Sequence, residues 1–154
     1  TTEIKKLSNK LKLNTQILNN NEKILKDKEI IIINYFGALK SYFKYAKSVF
    51  IGKSMFKKFM NNGGQNPIEA AKLNCKIYHG PFVYNFQEVY EILEKNSVSK
   101  KVNDYEELSD NLSRDLEAPK KINSELSSPI KNLEQKTLTD TMKIIDNFLY
   151  NDVN

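Results

Sequence analysis

The 154-residue sequence has one cysteine, one histidine and one arginine. The lone Cys75 excludes an internal disulfide framework, and with only His79 beside it there are too few soft ligands for a zinc site. No metal or other cofactor is expected. No run approaches the roughly 20 consecutive apolar residues that cross a bilayer, and the opening TTEIKKLSNK lacks the apolar segment of a secretory signal. The chain is therefore expected to be soluble and intracellular. Repeats and low-complexity segments are absent too. A chain of this length reads as one globular unit, residues 1–154, burying about two thirds of its unfolded surface.

What is abundant is lysine. The net charge of +5 invites a nucleic-acid reading, but among the 24 basic residues only Arg114 is arginine, a bias that an AT-rich genome also produces. The distribution is more informative. Residues 1–90 hold 15 lysines and 6 acids, a balance of +9, whereas residues 91–154 hold 9 basic residues and 13 acids, a balance of −4. Any anionic partner meets the first part.

Apolar runs bounded by turn residues alternate with helix-like stretches, the pattern of an α/β fold with a mostly parallel, Rossmann-like sheet flanked by helices. Ile4, Leu7 and Leu11 recur at helical spacing, and Thr15–Leu18 forms a short strand before the turn Asn19-Asn20-Asn21. Ile30–Ile33 shows no alternation and suits a central strand buried on both faces. Residues 38–47 read as helix, Val49–Ile51 as a strand ending at Gly52, and Asn61-Asn62-Gly63-Gly64 as a turn opening a helix at Asn66-Pro67. The strand Lys76–Tyr78, the turn Gly80-Pro81, a helix from near Asn85, a strand at Lys100–Val102 and a helix over 104–116 follow. Residues 117–128 read as a surface connection. Ser128-Pro129 then starts a long carboxy-terminal helix over 129–150, with an apolar stripe from Ile130 to Leu149.

The segment GGQNPIEAA, Gly63 to Ala71, lies between a strand and a helix. Glycines there let backbone N–H groups approach an anion closely, and the helix directs its positive end at the same place. The competing account is a capping box in which Asn66 and Glu69 satisfy each other's backbone donors and bind nothing. Both stay open on local sequence. The same ambiguity recurs at Asn85-Phe86-Gln87-Glu88, where capping is the favoured account. What speaks for a site is that Gly52, Gly63-Gly64 and Gly80-Pro81 all follow strands, and such loops gather at the carboxyl edge of a parallel sheet.

The phrases FIGKSM (Phe50–Met55), GGQNPIEAAKL (Gly63–Leu73) and HGPFVYNFQEV (His79–Val89), with INYFGALKSYFKYAKSVF upstream, resemble the Kdo transferases, GT-B glycosyltransferases that use CMP-Kdo. Gln65 stands where many members have histidine, Lys53 replaces a glycine, Ala38 replaces an acid, and a few extra residues fall between Ser54 and Gly63. The resemblance implies the carboxy-terminal, donor-binding domain of such an enzyme, acting with a missing amino-terminal domain that binds the lipid A precursor and supplies the general base. The chain is thus expected to be a fragment, inactive alone, of an inverting, metal-independent enzyme of lipopolysaccharide synthesis. That enzyme works at the cytoplasmic face of the inner membrane, and this domain meets the membrane only as part of it.

By the same resemblance Ser54 and the Gly63-Gly64 loop contact the donor phosphate or the Kdo carboxylate, with Gln65 and Asn66 beside them, and Gly52 belongs to the same donor-binding set. Glu69 accepts hydrogen bonds from the ribose, and Gly80, Asn85 and Phe86 line the wall near the transferred sugar. His79 reads first as structural and Cys75 as a small buried hydrophobe. Tyr35, Phe36, Tyr42, Phe43 and Tyr45 read as core for at least half their number. The competing functions are a GT-B domain for another nucleotide sugar, of the UDP-hexosamine type, and a lysine-rich nucleic-acid-binding module, which the resemblance disfavours.

Overall fold

The structure, a computed structural model, describes residues 2–117 together with Gln135, Thr139, Met142 and Lys143. The expected connection at 117–128 and nearly all of the helix at 129–150 lie outside the described residues. The four isolated positions are helical, and Thr139 Oγ1 donates to the Gln135 carbonyl at 2.8 Å. Where length predicts one globular unit, the chain divides into two compact units, residues 1–39 and 40–154.

The first unit holds helix α1 (Thr2–Lys10) and the parallel strands β1 (Thr15–Leu18) and β2 (Ile30–Ile33), in register from Thr15 opposite Ile30 to Leu18 opposite Ile33. α1 stops because Lys12 turns to φ 57°, and the Leu13 amide then reaches back to the Ser8 carbonyl at 2.9 Å, closing the terminal carbonyls. Its apolar stripe is present but Ile4, Leu7 and Leu11 stay more than half exposed. The expectation for Ile30–Ile33 needs correction. Among the described residues β2 pairs only with β1, and its isoleucines are part-buried or, for Ile33, exposed. A continuous apolar run marks a strand, but it does not tell how many strands flank it.

In the second unit, β3 (Ser48–Ile51), β4 (Lys76–His79) and β5 (Ser99–Lys101) form a parallel sheet in that order, so the central strand is β4. Helices α2 (Leu39–Phe43), α3 (Ile68–Lys72), α4 (Gln87–Lys95) and α5 (Tyr105–Glu117) connect or follow them. α2 ends four residues before the expected 47, where a turn closes from Ala46 N–H to the Tyr42 carbonyl at 3.1 Å. Of the aromatic cluster, Phe43 is buried, Tyr35 and Tyr42 are half-buried, and Phe36 and Tyr45 are exposed.

Alternation along β4 separates the layers. Ile77 joins Phe43, Ile51, Ala70, Ala71, Cys75, Tyr90, Leu93 and Val98 in one core, packing the sheet against α3 and α4. Cys75 is buried, its thiol 3.1 Å from the Phe43 carbonyl, as expected of a small hydrophobe. Tyr78 points to the opposite face, where Asp115 of α5 accepts from Tyr78 at 2.7 Å, Ser48 at 2.6 Å and Lys76 at 2.9 Å. Burial works to raise the Asp115 pKa, but these three donors outweigh it and hold the carboxyl below its usual range. The expected α/β class, parallel sheets flanked by helices, is what the chain adopts.

Candidate functional site

Because β3 and β4 run parallel, the segments leaving their carboxyl ends, residues 52–67 and 80–86, emerge on the same edge. They are laced together. The Gly64 amide donates to the Lys53 carbonyl at 2.8 Å, the Phe82 amide to the Ser54 carbonyl at 2.9 Å, and the Asn85 amide to the Gly63 carbonyl at 3.1 Å. Asn85 Nδ2 adds a bond to the Asn62 carbonyl at 3.0 Å, and the Tyr90 hydroxyl reaches the Gln65 carbonyl at 2.9 Å from α4.

This lacing explains the glycines. A Cβ on Gly80 would run into the Ser54 carbonyl, and one on Gly63 into the carbonyls of Phe59 and Phe82. Gly64 adopts φ +80°, a conformation that a side chain disfavours. Gly52, by contrast, is exposed and faces open space, so nothing steric demands glycine there.

Ser54 sits at the centre of the lacing with none of its surface exposed. Its hydroxyl donates to the Ile51 carbonyl at 2.6 Å and accepts from the Gly80 amide at 2.9 Å. The hydroxyl is therefore spent between the two loops and is not offered outward. Phe86 likewise turns partly inward, packed against the core, while Asn85 is exposed. The two lie in the wall of an open hollow of about 520 Å³ with Tyr84, Gln87, Glu88, Val89 and Glu91.

The two capping readings separate here. At Asn66 the side chain does cap, accepting from the Ile68 amide at 2.9 Å. Glu69 does not reciprocate: it is exposed and makes no hydrogen bond or ion pair among the described residues. A free carboxylate thus stands on the first turn of α3, beside exposed Gln65 and the glycine loop. At Asn85 the favoured capping account is overturned. α4 starts at Gln87 without a side-chain cap, because Asn85 is committed to Asn62 and Gly63. Tertiary ties won over a local motif. α3 itself has only five residues, so its macrodipole is small and the backbone lacing, more than helix polarity, shapes the site.

His79 ends β4 with 1% exposure. Its Nδ1–H donates to the Gly80 carbonyl at 2.8 Å, its ring lies against Tyr90 with centroids 4.2 Å apart, and Nε2 stands 2.9 Å from Glu94 Oε1 outside good hydrogen-bond geometry. Burial pushes the imidazole pKa down, opposed by the Gly80 carbonyl and the Glu94 carboxylate. Burial also pushes the Tyr90 phenol up. Both are structural supports under the loops, the role read for His79 from sequence. Tyr90 was not legible as such, since nothing local distinguishes a tyrosine that packs from one whose hydroxyl ties a loop.

No protein-family model matches the chain. It is 28% identical over 100 residues to the 3-deoxy-D-manno-octulosonic acid transferase of Aquifex aeolicus, an overlap of 65% of this chain and 27% of that protein. It spans only about a quarter of that relative. In fold it matches the C-terminal CMP-Kdo binding domain of WaaA from Acinetobacter baumannii, with a TM-score of 0.66 and 18% identity, covering 87% of this chain and 66% of that one. Sequence and fold therefore agree, and this chain is similar to the carboxy-terminal domain of a Kdo transferase.

Proposed function

We propose that this chain is the donor-binding half of a glycosyltransferase that moves Kdo from CMP-Kdo to a lipid A precursor. The observation that carries the reading is the free Glu69 carboxylate beside the laced Gly63-Gly64 loop, at the carboxyl edge of a parallel sheet. Glu69 takes the ribose hydroxyls, since an ionised carboxylate accepts from both. The Gly63-Gly64 loop, its Gly64 amide already given to the Lys53 carbonyl, presents exposed Gln65 and Asn66, whose side-chain N–H donors take the phosphate or the Kdo carboxylate and stabilise the charge that develops on the leaving CMP. Gly80 and Asn85 set the wall near the sugar. Ser54 acts through the loops as a positioning residue, given its buried hydroxyl.

The transfer in this reading is inverting and metal-independent. An acceptor hydroxyl, deprotonated by a base outside this chain, attacks the anomeric carbon, and CMP departs with the bonding electrons. The chain alone therefore transfers nothing, and the full-length enzyme works at the cytoplasmic face of the inner membrane, contributing to lipopolysaccharide synthesis. Titration calorimetry of CMP, UMP and UDP into the full-length enzyme tests the donor. Selective CMP binding supports the reading; preference for UDP replaces it with a UDP-sugar transferase. Transfer of Kdo by the isolated chain would contradict its assignment as an incomplete enzyme.

A further inference from the structure

The loop between β3 and the glycine turn carries more than its share in the site requires. From Gly52 to Ile68 there is no acid and there are three lysines, Lys53, Lys57 and Lys58, all exposed. Two large apolar side chains share this stretch, Phe56 at 65% exposure and Met60 at 50%. Neither contributes to the core, and leaving both in water opposes the hydrophobic effect unless something covers them. Lys58 Nζ lies 5.0 Å from the Phe59 ring centroid and 5.8 Å from that of Phe56, so cation and ring face outward as a unit.

The shape is preset. A single 3-10 turn over Lys57–Phe59 is closed by Phe59 N–H to the Phe56 carbonyl at 2.9 Å and Met60 N–H to the Lys57 carbonyl at 3.0 Å. Its base is tied at the Lys53 carbonyl by the Gly64 amide. Docking it costs little conformational entropy. Met60 also lines an open hollow of about 310 Å³ with Tyr84, Glu91, Glu94 and Lys101, so two acids border the loop at that end, while its own lysines lie in the Lys53–Phe59 stretch.

We propose that this loop docks peripherally on an anionic lipid bilayer, Phe56 and Met60 entering the headgroup boundary and the three lysines meeting the surface charge. Among the described residues no helix is long and apolar enough to cross a membrane, so the contact is superficial. Charge complementarity selects a negative surface. The displayed pair, one ring and one thioether, suits an acyl boundary better than a nucleic-acid strand, which asks for successive stacking platforms along a basic groove. Lysines supply unforked point charges, adequate for a diffuse surface and poor for bidentate phosphate recognition. The proposal does not depend on the donor reading above.

The test is co-sedimentation of the chain with vesicles of phosphatidylcholine alone or with phosphatidylglycerol added. Three lysines near the surface should favour the anionic vesicles on the order of 100-fold, and high salt should remove most of that preference. Lys57→Gln with Lys58→Gln should lower partitioning about 30-fold, and Phe56→Ser on the order of 10-fold. Because these side chains are exposed, thermal melts should stay unchanged. Wild type failing to bind anionic vesicles, equal binding to both vesicles, or variants that partition like wild type would each overturn the proposal. So would displacement by inorganic phosphate, which points to a soluble anion, or retention of a single-stranded oligonucleotide by the same lysines without vesicle binding.

Discussion

Replacing Glu69 separates ligand binding from folding unusually cleanly. The side chain is exposed and free of hydrogen bonds and ion pairs among the described residues, so Glu69→Ala removes no hydrogen bond or ion pair to them and replaces glutamate with the best helix former. The melting temperature should hold within a degree or two. Affinity for CMP should not. A hydrogen bond to a charged acceptor contributes roughly 1.5 to 3 kcal/mol, so losing the ribose contacts should weaken CMP by about 10-fold to 150-fold. Glu69→Gln keeps an oxygen acceptor without the charge and should fall between. Calorimetric titration of CMP into full-length wild type and both variants reads the effect, with melts alongside. Equal affinities in all three would refute the ribose role and leave Glu69 an idle surface residue. A matched loss of affinity and melting temperature would refute the premise that it is structurally free.

Ser54→Ala should behave oppositely: leaving the Ile51 carbonyl and the Gly80 amide unpaired in the interior should cost about 1 to 3 kcal/mol in a denaturant titration, and CMP affinity should fall only with the loosened loops. Tyr90→Phe keeps the packing but releases the Gln65 carbonyl, a change of about 1 kcal/mol read by the same titration, with CMP affinity reporting whether the loop moves. Asp115→Asn tests the node under the opposite sheet face. Its folded pKa is depressed, so the carboxylate's stabilisation is complete above the unfolded value of about 3.9 and fades as pH falls through the lower folded value. The variant should be about 1 to 2 kcal/mol less stable than wild type at neutral pH, and the gap should shrink in melts taken progressively further below pH 4.

How much of this was legible in advance depended on the range over which each signal acts. Strand positions came through almost unchanged, Thr15–Leu18 and Ile30–Ile33 to the residue, because apolar runs flanked by turn residues are set locally. The layering around Ile30–Ile33 did not, because neighbour count is a property of the sheet and not of the strand. The glycine phrases marked the loops that share one sheet edge, yet the reason for Gly80 lies in Ser54, 26 positions away along the chain. Asn85 shows the same limit from the other side. Its spacing to Glu88 matched a helix start, and partners at Asn62 and Gly63 claimed it instead. Glu69 was ambiguous in sequence because a capping box and a ligand carboxylate share one pattern; the missing return bond removes the capping box, and the CMP titration tests the other role.

The lacing of the two loops has a consequence for how this family of surfaces changes. Its acceptors at Lys53, Asn62, Gly63 and Gln65 are all main-chain carbonyls, which every amino acid possesses. Glutamine at 65 can therefore be exchanged without altering the loop's path, provided the few fixed points at Ser54, Gly63, Gly80, Asn85 and Tyr90 stay, whereas position 53, held at φ 56°, accepts only residues that tolerate the left-handed region, such as glycine or asparagine. The frame and the groups it displays are written in separate residues, so the display can drift toward a new ligand while the frame holds still.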